Sequence, residues 1–418
     1  MTTLSTWRFG TPTSLVRVTL KRIAPASVLI LGLAAAAQAG VLNITAISTF
    51  DGTHGTEPEG DLLLIGSTLY GTTAFGGANN NGTVFSVPLT GGTPTVLCSF
   101  NGTNGGIPVG GLTLVGSTLY GTTKLGGASN DGTVFSVPLA GGTPTTLYSF
   151  GGADGKNPLG SLTLVGSTLY GTTCYGGANG DGTVFGMPLT GQSETTLYSF
   201  DATHGSSPCA ALTLVGSTLY GTTEWGGANN GGTVFSFPVS GSAASVVSSF
   251  DYTHGGNPES NLTLGGSNLY GTTYGGGFNS AGTVFSVPIA GGTPTTVLGF
   301  NGGATGMRPL GGVTLLGSTI YGAVWEGGTS GVGTIFAVNT DGTGYVDVAD
   351  FDGTNGLNPL AGLTQVGSTL YGTASAGGAN SDGTVFSIGP VPEPGTLALL
   401  GAAAVALVGF MGLRKRTA

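Results

Sequence analysis

Few residues in this chain have side chains suited to acid–base or metal chemistry, and its three histidines come first. His54, His204 and His254 occupy one repeated position, in Asp-x-Thr-His-Gly segments. A metal site needs ligands that converge from separate segments, so an Asp side chain that caps a turn is the simpler interpretation. Segments 79–82 and 129–132 lack the run of carboxylates that calcium requires. The sequence therefore predicts neither a metal site nor a cofactor, and it shows no Ser-His-Asp set or phosphate loop.

Aromatic and charged residues gather at a second repeated position, directly after the phrase Tyr-Gly-Thr-Thr. Two residues stand there in each copy, and this pair changes from copy to copy while its neighbours hardly change. Aromatic rings with few charges suit stacking on sugars or a protein interface. Drift at tolerant loop positions is the alternative interpretation. The candidate binding residues are Phe75, Lys124, Tyr175, Glu224, Trp225, Tyr274, Trp325 and Glu326.

These residues recur at regular intervals because the chain consists of sequence repeats with a fixed period. The phrase Ser-Thr-Leu-Tyr-Gly-Thr-Thr and its slightly altered later copies recur at a spacing of fifty residues, with one single-residue slip near position 300. The seven copies begin at Ser67, Ser117, Ser167, Ser217, Ser267, Ser318 and Ser368. A period of this size is typical of a repeat architecture, in which each copy forms one supersecondary unit.

Residues 111–150 show what one copy predicts. Gly116-Ser117 joins two β-prone runs as a type II′ hairpin, because glycine accepts a positive φ. Val134 and Phe135 are adjacent apolar residues, which suits a sheet packed on both faces. The four predicted strands are 112–115, 118–123, 133–138 and 145–150. Four antiparallel strands in about fifty residues are the unit of a β-propeller blade.

The two ends of the repeat region predict how the propeller closes. The last copy stops after Ile388 and lacks a fourth strand, whereas residues 42–50 match the fourth-strand pattern and precede the first full copy. We therefore expect this N-terminal strand to complete the last blade, which removes an open sheet edge. The predicted fold is all-β, a seven-bladed propeller over residues 40–389.

The repeated pattern also resembles a known family. Leu-Tyr-Gly-Thr-Thr, then Gly-Gly, then Gly-Thr-Val-Phe occurs seven times between residues 50 and 388, with small departures in the later copies. This pattern is similar to the Gloeo/Verruco (GloVer) tandem repeat. The resemblance implies a secreted propeller with a surface anchor, and it brings no known activity and no catalytic residues.

Three cysteines are too few for a disulfide framework, and the CxxC spacing of a zinc site is absent. Cys174 ends the second predicted strand of the third blade, and Cys209 enters the first strand of the fourth. Both would lie on one face of neighbouring blades in an oxidising compartment, so we expect a disulfide between them. Cys98 lies within a fourth strand and is expected to stay free.

The N-terminal segment has the features of a secretory signal peptide over residues 1–39. Lys21-Arg22 precedes the apolar run 28–37, and Ala37-Gln38-Ala39 forms a small-x-small cleavage pattern. An uncleaved anchor is the alternative, although the apolar run is short and rich in alanine.

The C-terminal segment, residues 390–418, combines three features in order. Pro392, Glu393 and Pro394 precede an apolar run over 397–413 and the basic cluster Arg414, Lys415 and Arg416. A retained transmembrane helix would explain the run and the basic cluster. All three together resemble the PEP-CTERM sorting signal of Gram-negative bacteria. This resemblance implies export, transient anchoring in the inner membrane, an exosortase as partner, and release to the cell surface or an exopolysaccharide matrix.

Charge narrows the possible functions. Between residues 40 and 391 there are three basic and eighteen acidic residues, a net charge of −15 that argues against nucleic acid as a partner. We expect a non-enzymatic binding or structural module, with exopolysaccharide or surface proteins as partners. A secreted glycan lyase or hydrolase is one rival, which a cluster of acids facing the central channel would favour. Glu224 and Glu326 lie two blades apart, and this separation argues against their flanking one glycosidic bond. A purely structural biofilm-matrix protein is the other rival.

Overall fold

The computed structural model describes residues 42–391, apart from residues 192 and 242. Seven four-stranded antiparallel sheets make up this part of the chain. Each sheet is one blade, and its first strand lies nearest the central axis.

Blade 1 contains β2 (Leu63–Ile65), β3 (Thr68–Thr73), β4 (Thr83–Pro88) and β5 (Thr95–Ser99). Blade 2 contains β6 (Thr113–Val115), β7 (Thr118–Thr123), β8 (Thr133–Pro138) and β9 (Thr145–Ser149). Blade 3 contains β10 (Thr163–Val165), β11 (Thr168–Thr173), β12 (Thr183–Pro188) and β13 (Thr195–Ser199). Blade 4 contains β14 (Thr213–Val215), β15 (Thr218–Thr223), β16 (Thr233–Pro238) and β17 (Ser245–Ser249). Blade 5 contains β18 (Thr263–Gly265), β19 (Asn268–Thr273), β20 (Thr283–Pro288) and β21 (Thr295–Gly299). Blade 6 contains the short 3-10 helix Gly303–Thr305, β22 (Thr314–Leu316), β23 (Thr319–Val324), β24 (Thr334–Asn339) and β25 (Val346–Asp350). Blade 7 contains β26 (Thr364–Val366), β27 (Thr369–Ala374), β28 (Thr384–Ile388) and β1 (Ile44–Thr49).

The ring closes through the N-terminal strand, as the sequence predicts. β1 pairs antiparallel with β28, with Ile44 opposite Ile388 and Thr49 opposite Thr384. The seventh blade therefore gains its outer strand from the other end of the propeller. The predicted seven-bladed all-β fold is confirmed.

The hydrophobic core lies between the blades and repeats with them. Val84 and Phe85 are adjacent in β4 and both have no exposed surface, because neighbouring sheets cover both faces of the blade. Phe50 meets Phe85 edge to face with ring centroids 4.9 Å apart, and equivalent phenylalanine pairs recur in the other blades. A Cβ on Gly71 would lie 2.7 Å from the Phe85 ring, so this repeated glycine makes room for the aromatic ring.

Buried threonines link neighbouring blades at six of the seven junctions around the axis, and blade 6 carries Ala323 at the equivalent position. Thr122 Oγ1 donates to the Gly160 carbonyl at 3.0 Å, and the same bond closes the ring from Thr373 to Gly60 at 3.4 Å. Four further junctions carry it, from Thr72 to Gly110, Thr172 to Ala210, Thr222 to Ser260 and Thr272 to Gly311. The first threonine of the Thr-Thr pair in the repeated phrase therefore serves the scaffold, since it satisfies a buried carbonyl of the neighbouring blade.

The predicted C-terminal helix lies outside the described residues, as do the signal peptide and the sorting motif. Within residues 42–391, no helix has the length and apolar character needed to cross a membrane.

Candidate functional site

The propeller has two end faces with different contents. We call one the rim face; it carries the loops from second to third strands, such as 74–82, and the loops between blades, such as 100–111. The other is the hairpin face; it carries the Gly-Ser turns and the turns between third and fourth strands, such as 139–144. All eight candidate binding residues lie at the rim face, at the ends of second strands.

The variable pairs do not form a uniform ring of binding residues. Cys174 is the first of its pair, and its sulfur meets Cys209 at the entrance to the central channel. In the next blade, the Trp225 indole N–H donates to the Glu224 carboxylate of the same pair.

Three of the eight candidates are engaged by one arginine that the sequence analysis did not select. The Arg308 guanidinium carbon lies 5.4 Å from the Tyr274 ring centroid and 5.7 Å from that of Trp325. Its Nη1 donates to Glu326 Oε1 at 2.7 Å. This cluster spans blades 5 and 6, and cation–π contacts of this kind hold the two rings in place. Because only three basic residues lie between positions 40 and 391, Arg308 could have been noticed from composition.

The most exposed aromatic residues lie in blades 3 to 5. Tyr175 is 45% exposed and Trp225 is 39% exposed, both at second positions. Phe278 is 93% exposed in the next loop of the rim face, where five other copies carry alanine. Tyr252 is 39% exposed between blades 4 and 5. We call these four residues the aromatic sector.

Tyr252 is held in place despite its exposure. Its φ is +63°, a left-handed backbone that most residues avoid, and its hydroxyl donates to the Asn230 carbonyl of blade 4 at 3.2 Å. Its ring covers Gly256, where a Cβ would lie 2.4 Å away. Sequence reasoning missed Tyr252 and Phe278 because it compared one variable pair per copy. Their departure from glycine and alanine in the other copies was the available signal.

Tyr175 lines a pocket with polar neighbours. The pocket has a volume of about 440 Å³ and is lined by Gly152, Lys156, Asn157, Tyr175, Gly176 and Gly180. An aromatic face beside an amine and an amide is a combination that can both stack on and hydrogen-bond a sugar. Of the remaining candidates, Phe75 is half-buried and Lys124 is exposed. Glu224 is half-buried, and burial raises the pKa of its carboxyl.

Three carboxylates that sequence reasoning missed line the central channel. Glu59, Asp61 and Glu259 line a cavity of about 210 Å³ to which all seven blades contribute. Burial raises the pKa of both glutamates to about 7. They come from blades 1 and 5, two hundred residues apart, so no local pattern marks them.

Asp61 is tied across the channel. Asn261 Nδ2 donates to Asp61 Oδ2 at 2.8 Å, and the Gly362 backbone N–H donates to Asp61 Oδ1 at 2.7 Å. The Ala211 N–H in turn donates to Asn261 Oδ1 at 2.8 Å. Burial raises the pKa of Asp61, although both hydrogen bonds act to lower it. This network joins blades 1, 4, 5 and 7.

The histidines have the geometry of turn residues. Asp51 Oδ1 accepts from the His54 N–H at 2.9 Å and lies 2.7 Å from His54 Nδ1. The same pairing recurs at Asp201 with His204 and at Asp251 with His254. Among residues 42–391, no group of three or more His, Cys, Asp or Glu side chains is placed to hold a metal ion.

Two of the three cysteines lie at the junction between blades 3 and 4. Cys174 of blade 3 and Cys209 at the start of blade 4 are joined by a disulfide, with Cα atoms 4.7 Å apart. Cys98 is free and buried in β5, and burial raises the pKa of its thiol to about 12. The disulfide links neighbouring blades at the channel mouth.

Three solved structures are similar to this one at low sequence identity. A puromycin-hydrolysing peptidase from Mycobacterium tuberculosis is 12% identical with a TM-score of 0.49, over 79% of this chain and 52% of that one. A quinohemoprotein alcohol dehydrogenase from Comamonas testosteroni is 10% identical with a TM-score of 0.48, over 85% and 77%. A putative 6-phosphogluconolactonase from Bacteroides uniformis is 16% identical with a TM-score of 0.43, over 70% and 86%. This chain spans about half the length of the peptidase. A comparison with curated proteins found no match.

Two family models match the sequence. The PEP-CTERM protein-sorting motif matches residues 390–416, which implies export, membrane-anchored sorting in a Gram-negative bacterium and recognition by an exosortase. The model of the Gloeobacter/Verrucomicrobia repeat matches residues 36–235 and 166–386, and therefore most of the chain. Together with the seven-bladed fold, this match shows that the chain belongs to the Gloeobacter/Verrucomicrobia repeat family.

Proposed function

We propose that the propeller is a non-enzymatic binding module whose aromatic sector takes a polysaccharide of the cell surface or matrix. The exposure of Tyr175, Trp225, Tyr252 and Phe278 on one face of three consecutive blades is the observation that carries this proposal. The apolar surface of these exposed rings is in contact with water, which is unfavourable. A bound ligand that covers the rings removes this surface from water and so favours binding. In propellers, binding residues typically lie on loops that a rigid scaffold holds in place, and the aromatic sector has this arrangement.

Sugar is the ligand class that fits this surface best. Sugar rings present a C–H face that stacks on aromatic side chains, while their hydroxyls need polar partners. Lys156 and Asn157 supply such partners beside Tyr175. The strongly acidic body disfavours a polyanion, so we propose a neutral or weakly charged chain.

A glycan-cleaving enzyme is the second candidate, because carboxylates do face the central channel. Glu59 and Glu259 have pKa values of about 7, which suits acid–base catalysis. Two features weigh against it. The cavity of about 210 Å³ is smaller than the 300–1,000 Å³ typical of ligand sites, and Asp61 is already engaged by Asn261 and Gly362.

Two tryptophan variants test the binding role. Trp225→Ala removes an exposed ring of the aromatic sector and should weaken binding to the producer's own polysaccharide roughly tenfold, since such a ring contributes about 1–3 kcal/mol. Trp325→Ala is the matched control, because its ring packs on Arg308. It should lower the melting temperature and change binding by less than about threefold. Calorimetric titration and thermal melts measure both effects.

The rivals predict different results. If Trp225→Ala leaves both binding and melting unchanged, the aromatic sector is not a binding site, and a structural matrix role becomes the better explanation. If the wild-type protein instead releases new reducing or unsaturated sugar ends, and Glu59→Gln abolishes this release, the enzyme interpretation replaces the binding one.

A further inference from the structure

Both ends of the described propeller leave from the hairpin face. β28 runs from the rim face to the hairpin face, and the Val391 N–H then donates to the carbonyl of Ser368 in the last Gly-Ser turn at 2.8 Å. β1 is antiparallel to β28, so the chain enters at the same face, with Ile44 opposite Ile388. The sorting motif therefore continues from the hairpin face.

The connection to the sorting motif's apolar run is short. Five residues, 392–396, separate Val391 from the apolar run that begins at Leu397. A chain of this length spans at most about 20 Å. The strands between the two faces add about 20 Å more, because six residues of strand rise about 3.3 Å each. An anchor in the membrane therefore keeps the hairpin face closer to the bilayer than the rim face in any upright orientation.

The distribution of acidic residues favours the same orientation, because most of them lie on the rim face. The chain has 19 acidic residues, of which Glu393 alone lies outside positions 42–391. Of the eighteen others, only Glu194 and Asp341 lie in hairpin-face turns, and two lie in β25. The remaining fourteen, in the rim-face loops and channel mouth, are Asp51, Glu57, Glu59, Asp61, Asp131, Asp154, Asp181, Asp201, Glu224, Asp251, Glu259, Glu326, Asp352 and Asp382.

Charge therefore favours one orientation on an anionic bilayer. Anionic phospholipids repel the acidic rim face, and its three basic residues do not offset fourteen acids. The hairpin face is rich in Gly, Ser and Thr, and the exposed Leu214 and Leu264 lie close to its Gly-Ser turns. With two acidic residues in its turns against fourteen on the rim face, the hairpin face repels an anionic lipid surface less than the rim face does.

We infer that, in the membrane-anchored precursor, the hairpin face is the surface that faces the phospholipid bilayer and the rim face points away from it. The inference depends on the sorting motif and on the path of the chain, and it holds whether or not the aromatic sector binds a polysaccharide. Its consequence is that the rim face is open to large partners before an exosortase acts.

Two serines of blade 2 form a matched pair for the test. Ser117 is exposed in a hairpin-face turn and Ser129 is exposed in a rim-face loop. Ser117→Cys and Ser129→Cys each add one reactive thiol, because Cys98 is buried and Cys174 is bonded to Cys209. Each full-length variant is labelled with a fluorescent donor and reconstituted into phosphatidylethanolamine–phosphatidylglycerol vesicles that contain an acceptor lipid.

We expect energy transfer to the lipid to be at least about twofold more efficient from position 117 than from position 129. In detergent without vesicles the two positions should give the same signal, which controls for dye behaviour. Equal transfer from both positions in vesicles would show that the propeller tumbles freely on its tether, and stronger transfer from position 129 would show the opposite orientation. Either result overturns the inference.

Discussion

Ionisation of the channel-mouth glutamates is expected to destabilise the folded propeller as the pH rises. Burial raises the pKa of Glu59 and Glu259 from 4.5 to about 7. The neighbouring Glu57 and Glu224 carboxylates act in the same direction, while Lys124 opposes it at Glu59. A carboxyl whose pKa is higher in the folded state contributes stability below the unfolded pKa, and this contribution is lost as the pH rises through the folded pKa.

The pKa difference sets the size of the effect. Between pH 5 and pH 8, a group with pKa 7 when folded and 4.5 when unfolded reduces the free energy of unfolding by at most about 2.5 kcal/mol. Both side chains keep some contact with water, so we expect about 1 kcal/mol for each. Wild-type protein should therefore lose about 2 kcal/mol more over this range than the double variant Glu59→Gln, Glu259→Gln. Glu194, whose pKa is also about 7, stays in both proteins and cancels in the comparison.

Urea unfolding at pH 5 and pH 8 measures this difference. Glu57→Gln is the matched control, because Glu57 is an exposed neighbour on the same loop and its removal should leave most of the pH dependence intact. Parallel stability curves for wild type and double variant, or a wild type that is more stable at pH 8, would refute the argument that these carboxyls are desolvated in the fold.

Two further predictions concern how the ring is held together. Deleting residues 42–49 removes β1 and leaves β28 as an open edge, so we expect aggregation or loss of a cooperative melt, and a monomeric protein with unchanged melting would contradict blade closure. Cys174→Ser opens a cross-link that spans 35 residues and should cost about 3–4 kcal/mol of stability in oxidised protein and clearly less under reducing conditions, where only the buried thiol is replaced. Non-reduced peptide mapping that finds Cys174 and Cys209 both free would rule the disulfide out.

The fold could be predicted from the sequence alone because each copy contains the local signals that specify one blade. The Gly-Ser hairpin, the adjacent Val134 and Phe135, and the fifty-residue period each predict one blade unit, and seven copies multiply the signal. Even the ring closure could be predicted, since a missing strand at one end and a spare strand at the other are visible in the chain. Only the extra role of Thr122 and its equivalents, which bond to the next blade, needed coordinates.

The candidate site was predictable only in part, because its residues are brought together by closure of the ring. The sequence marked Trp225 and Trp325 as equivalent, and the structure separates them: one ring is exposed and the other packs on Arg308. Asp61 meets Asn261 and Gly362 only because seven rigid units return the chain to its start. Local periodicity determines the blades, whereas exposure and the channel contacts depend on how seven blades pack around one axis, which no single copy encodes.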